Sequence, residues 1–279
     1  AVAAAPVKAS KPGGIGGDCR LISKTEDGKR NMIFVFEMHP DLCAALSLSP
    51  LVGHVMAITE VDGKKVRREY SPIQVLSHPT MDLLVKHYPD GKMTTHMFGM
   101  QIGQSLRFEY SPNPDFKWTD ASLHHLGMVG GGTGVTPFLQ VCRTILANRD
   151  DPRYAAVQSV SIVMFHSSRG DVILFDDFVK LGADLNAAQI KAKVHIVCTQ
   201  EDMAGKDNTG VFLSSPPQTK YATVKEMWYK NTLRQGRYLP PADFNSKVIF
   251  SGPAGFNERV KKAMTAGGYG ESHLICLDG

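Results

Sequence analysis

The sequence predicts two domains: an antiparallel β-barrel, followed by an α/β domain built on a parallel sheet. Three observations carry this expectation. The chain has 279 residues, enough for about two domains of ordinary size. From about Cys19 to Pro112 the apolar residues come in short alternating runs, the period of strands with one face buried in a small barrel or sandwich. After His125 the rhythm changes to apolar strands separated by amphipathic helices, which is the pattern of a parallel sheet covered on both faces. The expected division is a flexible tail over 1–17, a barrel domain over 18–115 and an α/β domain over 116–279.

Taken in order, MIFVFEMH (32–39), HVMAITEV (54–61), KVRREYSPIQVL (65–76), MDLLVKHY (81–88) and SLRFEY (105–110) read as strands. Turn chemistry separates them: Asp62-Gly63, His78-Pro79, Pro89-Asp90-Gly91, and the run from Ser111 to Pro114. One helix interrupts the strands, KMTTHMFGMQ (92–101), with Met93, Met97 and Met100 on one side. Past a boundary within 111–125, the strand LGMVGG leads into a helix from about Thr136 to Asn148. The strand SVSIVMF (159–165), a helix near Leu174–Leu181 and the strand VHIVCT (194–199) follow. A long loop then precedes a helix over 222–235, the strand KVIF (247–250), a helix from Phe256 to Ala266 and the strand HLICL (273–277). No internal repeat is present.

Composition narrows the function classes. Apolar residues make up 43% and charged residues 21%, which describes a globular protein with a sizeable core. The net charge of +4 is small and dispersed, so no nucleic-acid partner is expected. Cys19, Cys43, Cys142, Cys198 and Cys276 are far apart and never spaced CxxC, which argues against a disulfide framework or a zinc site and for a reducing compartment. The histidines show no HExxH and no paired spacing, so no metal site is expected; the lack of GxSxG leaves a serine hydrolase unsupported. No apolar run reaches the length of a membrane span. The first seventeen residues are small, Pro/Gly-rich and aperiodic, as expected of a tail with any targeting or anchoring segment lying upstream.

The chemistry gathers at GMVGGGTGVTPF (127–138), placed after an apolar strand and before a helix. There the first helical turn offers unpaired amides and the positive end of the dipole, and glycine lets backbone approach a phosphate. Familiar spellings fail: GxGxxG needs glycine where Val135 stands, and a P-loop needs GK[ST]. On its own the run is equally a helix-initiating turn without a ligand, with Pro137 well placed in the first turn.

GGGTGVTPFLQV (130–141) resembles the nucleotide-binding turn of the ferredoxin–NADP reductase superfamily. REYSP (68–72) is similar to the Arg-x-Tyr-Ser/Thr element of its flavin barrel, GKMT (91–94) to its GKMS turn, and SGPAG (251–255) to its CGPPP element. With VGHVMAITEVDG and MQIGQSLRF between them, the likeness is greatest to the NADH–cytochrome b5 reductases and covers about residues 19–279. The resemblance makes 18–115 an FAD-binding barrel and 116–279 an NADH-binding domain. It implies an oxidoreductase that takes hydride from NADH and passes single electrons to cytochrome b5. It implies a monomer, cytosol-facing at the endoplasmic reticulum or mitochondrial outer membrane, with membrane attachment only through a segment absent from this chain.

Site residues carry over one by one. Arg68 would pair with the FAD pyrophosphate through its planar fork, and Tyr70 would pack on the flavin. Ser71 would stand beside the reactive flavin nitrogen. Gly91, Lys92, Met93 and Thr94 would offer amides, and Thr94 its hydroxyl, to the same pyrophosphate. Leu84, Lys86 and Tyr88 alternate along one face, with Lys86 assisting the nicotinamide nucleotide. Gly131, Gly132, Thr133 and Gly134 would face that nucleotide, while Thr136 reaches the flavin from the second domain. Ser251 takes the place of the family cysteine near the nicotinamide, followed by Gly252 and Pro253. Asp171 would accept from the adenine-ribose hydroxyl and repel the extra phosphate of NADPH, although Ser168 and Arg169 could bind that phosphate. Asp171 also suits the N-cap of the next helix. Ser71, Thr136 and Ser251 are the candidate catalytic residues.

Departures from the family pattern are Ser251, Glu69 in place of a proline, Gln104 in place of an aspartate, and a C-terminus without an aromatic residue. Two alternatives stay open on sequence alone: a reductase module for another acceptor, such as an oxygenase or a nitrate-reducing partner, and a non-catalytic nucleotide-binding module.

Overall fold

The structure, a computed structural model, describes residues 14–47, 53–74, 79–112, 122–199, 204–206, 211–214, 233 and 238–277. The first sheet has six antiparallel strands: β1 (Gly16–Glu26), β2 (Asn31–Glu37), β3 (Gly53–Val61), β4 (Lys64–Tyr70), β5 (Thr80–Lys86) and β6 (Ser105–Pro112). Their spatial order is β4-β3-β6-β1-β2-β5. The sheet curls into a half-barrel, so that β4 and β5, at its two ends, line one cleft. Asp62 and Gly63 both have positive φ (53° and 67°), the two-residue hairpin that an Asp-Gly pair favours. Helix α2 (Lys92–Gly99) buries Met93 and Met97, with Met100 buried just beyond it.

Two elements of this half went unseen in the sequence. Strand β1 begins at Gly16, inside the stretch expected to be tail, and pairs Gly16 with Glu109 and Gly17 with Phe108. Helix α1 (Pro40–Ser47) is short and turns only Leu42 and Leu46 into the core. Burial of each is worth about 2 kcal/mol, too narrow a stripe to show a period. The strand expected over 65–76 ends at Tyr70, because Pro72 lacks the amide that would continue the ladder.

The second sheet has seven strands in the order β10-β11-β9-β8-β7-β12-β13: β7 (His125–Gly131), β8 (Ser159–His166), β9 (Lys191–Cys198), β10 (Ala204–Lys206), β11 (Val211–Ser214), β12 (Ser246–Ser251) and β13 (Leu274–Leu277). All pairs are parallel except β10 with β11. The last two fall within the loop expected after Thr199. Helices α3 (Thr136–Ala147), α4 (Pro152–Ala155), α5 (Phe175–Ala187) and α6 (Ala254–Ala266) connect the strands. Helix α5 runs past the expected Leu181 because Leu185 continues its buried stripe. The helix expected over 222–235 lies, but for Leu233, outside the described residues, as do most of the tail and the 115/116 boundary. No helix among the described residues is long and apolar enough to cross a membrane.

The two sheets share a core. Ile73 and Leu84 from the first half pack in one cluster with Val135, Phe138 and Leu139 of the second. Gln140, fully buried on α3, donates from Nε2 to Gly53 O and Pro72 O (both 3.1 Å) and accepts from Gly53 N (2.9 Å). Arg143, one turn on, donates to Ile73 O and pairs with Asp177.

Candidate active site

A cleft of about 480 Å³ opens between the two sheets. Its first wall starts from the β3–β4 hairpin, whose register sets Val55 opposite Tyr70. One step further, His54 meets Ser71, and His54 Nδ1 lies 3.0 Å from Ser71 Oγ. Burial lowers the His54 pKa below its ordinary 6.5 against the opposing pull of Glu69, so the imidazole is neutral at neutral pH. Burial also pushes the Tyr70 hydroxyl up to about 12, with Arg68 acting in the other direction. Arg68 itself is exposed at the cleft and donates once to Arg67 O at 2.7 Å.

Strand β5 splits its side chains. Leu83 and Val85 enter the barrel core, while Leu84 and Lys86 turn to the cleft. Lys86 Nζ sits 5.8 Å from the ring centroid of Tyr88, which is 51% exposed at the cleft. The turn that follows closes with Gly91 N donating to Tyr88 O at 2.8 Å. Gly91 provides no side-chain cap for α2, and amides of a first turn have no partner within the helix. The amides of Lys92, Met93 and Thr94 therefore form a donor set beside the cleft. The Thr94 hydroxyl does not join them: it accepts from Tyr88 N (3.3 Å) and turns its proton back to Tyr88 O or Gly91 O. Lys92 Nζ pairs with Asp62 at 3.1 Å.

The second wall is the glycine turn with the ends of β12 and β13. Thr133, Gly134, Thr136, Ser251, Gly252 and Pro253 line the cleft, together with Leu277. Gly131 and Gly132 are not on its wall. A Cβ on Gly130 would lie 2.6 Å from Phe138 and Val135, one on Gly131 3.0 Å from the Phe256 ring, and one on Gly134 2.3 Å from Ser251 O. Neighbouring protein atoms thus leave no room for a side chain at Gly130 and Gly134, and only tight room at Gly131. Gly132 differs, with φ 55° and open space beside it. Thr136 Oγ1 donates to Thr133 O at 3.0 Å, which leaves it an acceptor toward the cleft.

Residues 18–118 match the family model of the oxidoreductase FAD-binding domain, and residues 123–264 that of the ferric reductase NAD binding domain. The chain belongs to the oxidoreductases that join this FAD-binding domain to a ferric reductase NAD binding domain. It is similar to "NADH-cytochrome b5 reductase 1" of Pyricularia oryzae, at 31% identity over 78% of this chain and 63% of that relative. Among solved structures, it resembles the CS-b5R domains of human Ncb5or in the NAD+ form, with TM-score 0.67, 18% identity, and 93% of this chain against 68% of that one. It also resembles the Malassezia yamatoensis flavohemoglobin with bound FAD and heme, with TM-score 0.69, 18% identity, and 95% against 60%. The chain spans between 39% and 67% of the length of the first curated relatives it matches.

In this reductase family member, Asp171 stands apart from the cleft wall, past the end of β8. Ser168 Oγ donates to Asp171 Oδ2 at 2.6 Å, and that bond, with the charges of Lys86 and Lys29, lowers the carboxyl's pKa. Asp171 does not cap α5. The amide of Leu174, at the N-terminus of that helix, is met instead by Asp27 Oδ2 of the β1–β2 turn (2.9 Å). His166 is buried at the end of β8, and its Nε2 has no hydrogen-bond partner among the described residues. Burial holds its pKa down to about 4.

The structure brings together most of the residues named from sequence and adds His54 and Leu277 to the cleft, with Gln140 buried behind it. Of these, His54 had a usable signal: the Asp-Gly hairpin alone sets 54 opposite 71.

Proposed function

We propose that this chain passes electrons from NADH through FAD to cytochrome b5. The observation that carries the proposal is the single cleft lined by both walls, with donors for a pyrophosphate on one side and the glycine turn on the other. Bound FAD would accept two electrons together and release them singly, which is the cofactor's own chemistry. Arg68 and the first-turn amides of α2 would hold the pyrophosphate, and Tyr70 and Leu84 would pack against the ring. Ser71 Oγ would stand at the reactive nitrogen, and His54, with Nδ1 3.0 Å from that hydroxyl, would fix its direction. Thr136 would accept a hydrogen bond from the second wall, and Lys86 would balance the nucleotide's phosphate charge. Ser251, buried at the end of β12, would position the nicotinamide without acting as a nucleophile. Asp171, with Ser168, would accept from the ribose hydroxyl and favour NADH.

The test is reduction of purified cytochrome b5 by NADH with the FAD-loaded protein, run beside ferricyanide as a small acceptor. Turnover with both supports the reading. Rapid ferricyanide reduction with cytochrome b5 left oxidised would show that the protein acceptor is another one.

A further inference from the structure

The turn between β1 and β2 belongs to the FAD-binding half, yet it lies against the ribose loop of the other half. Gly28 and Arg30 have positive φ (72° and 60°), which folds the turn back on itself. A Cβ on Gly28 would lie 3.4 Å from Val172 O and 3.6 Å from Gly170 O. The base of the turn is fixed by Asp27 N to Asn31 O (3.1 Å), His87 N to Arg30 O (2.7 Å) and Asn31 Nδ2 to Lys29 O (2.8 Å). From this fixed base the Lys29 side chain runs over Gly170, where a Cβ would meet Cε at 3.1 Å and Nζ at 3.3 Å. Gly170 separates Arg169 from Asp171. The Asp171 carboxylate thus feels the charges of Lys29 and Lys86 from the FAD-binding half, and Arg169 stands exposed in the same loop.

At the end of the second strand of such a sheet, an acidic side chain selects the free ribose hydroxyl, and a cationic one accommodates a 2′-phosphate. Asp171 supplies the first. We propose that Lys29 supplies the second: a cation delivered from the FAD-binding half to the ribose loop, where it draws in the 2′-phosphate of NADPH. This rests on the reading that the loop around Asp171 holds the adenosine ribose. It makes nucleotide choice a balance between two residues from different halves of the molecule, with NADPH used beside NADH.

Binding and kinetics test it separately. Titration calorimetry with adenosine 2′,5′-bisphosphate and with 5′-AMP reads the ribose loop without flavin chemistry. Lys29→Met is expected to weaken the bisphosphate about tenfold relative to AMP, the scale of one charge-assisted hydrogen bond, and Lys29→Arg to restore it. In rapid mixing, the ratio of the NADPH to the NADH second-order constant for flavin reduction falls by a similar factor in Lys29→Met, and the NADPH constant becomes less salt-dependent. An unchanged bisphosphate-to-AMP ratio, or equal loss of both ligands, overturns the proposal. If the wild type binds both adenosine ligands as expected but neither nicotinamide nucleotide reduces its flavin, the ribose site stands and the oxidoreductase reading falls.

Discussion

The two walls of the cleft are built on opposite principles. The FAD-side wall offers side chains and free amides: Arg68, Lys86, Tyr70 and the uncapped first turn of α2. The nucleotide-side wall offers backbone, held in place because Phe138, Phe256 and the Ser251 carbonyl fill the spaces where side chains would stand. The first wall would meet a ligand through side-chain charge, ring and amide chemistry. In the second, glycine is required mainly by packing, and a ligand would meet the backbone position that results.

That contrast has measurable consequences, the largest at Gly134. Its Cβ would lie 2.3 Å from a backbone carbonyl that cannot rotate away, so Gly134→Ala is expected to cost at least about 3 kcal/mol in urea unfolding. Gly131→Ala meets only the edge of the Phe256 ring at 3.0 Å and should cost about 1 kcal/mol. Equal costs would remove the distinction between backbone-limited and ring-limited glycines.

His166 gives an effect of nearly the same size. Its pKa is about 4 in the folded chain against 6.5 unfolded, so between those pH values the unfolded state binds the extra proton. Stability therefore falls as pH drops from 6.5 toward 4, by about 3 kcal/mol in all. Denaturation midpoints at the two pH values should differ less in His166→Leu than in the wild type; identical differences would place the acid sensitivity elsewhere.

Gln140 joins the walls. Gln140→Leu leaves Gly53 N, Gly53 O and Pro72 O without this partner and should cost about 2 kcal/mol, with slower flavin reduction at unchanged flavin content. A two-domain melt that keeps its midpoint would show that the halves are held together by the apolar core alone.

Legibility followed the same division. The strand–helix alternation and the Asp-Gly hairpin were plain in the sequence, since period and turn chemistry are local. Strand β1 was hidden because it opens on Gly16-Gly17 and carries only Cys19 and Leu21 as clear inward residues. Helix α1 was hidden because two leucines make too small a stripe. The FAD-side residues were legible by type, each with chemistry of its own. The glycine run was legible by position only, because its neighbours, Phe256 and Ser251, lie more than a hundred residues away in sequence. Gln140 and Lys29 carry no local mark at all; what sets them apart is contact between the halves.

If the two walls hold both cofactors within reacting distance in one cleft, electrons pass from NADH to bound FAD with no other protein present. Anaerobic rapid mixing of the FAD-loaded protein with NADH tests it directly. Bleaching of the flavin that saturates with NADH concentration, and slows markedly in Ser71→Ala, is the expected result. A flavin that stays oxidised while NADH binds would contradict it.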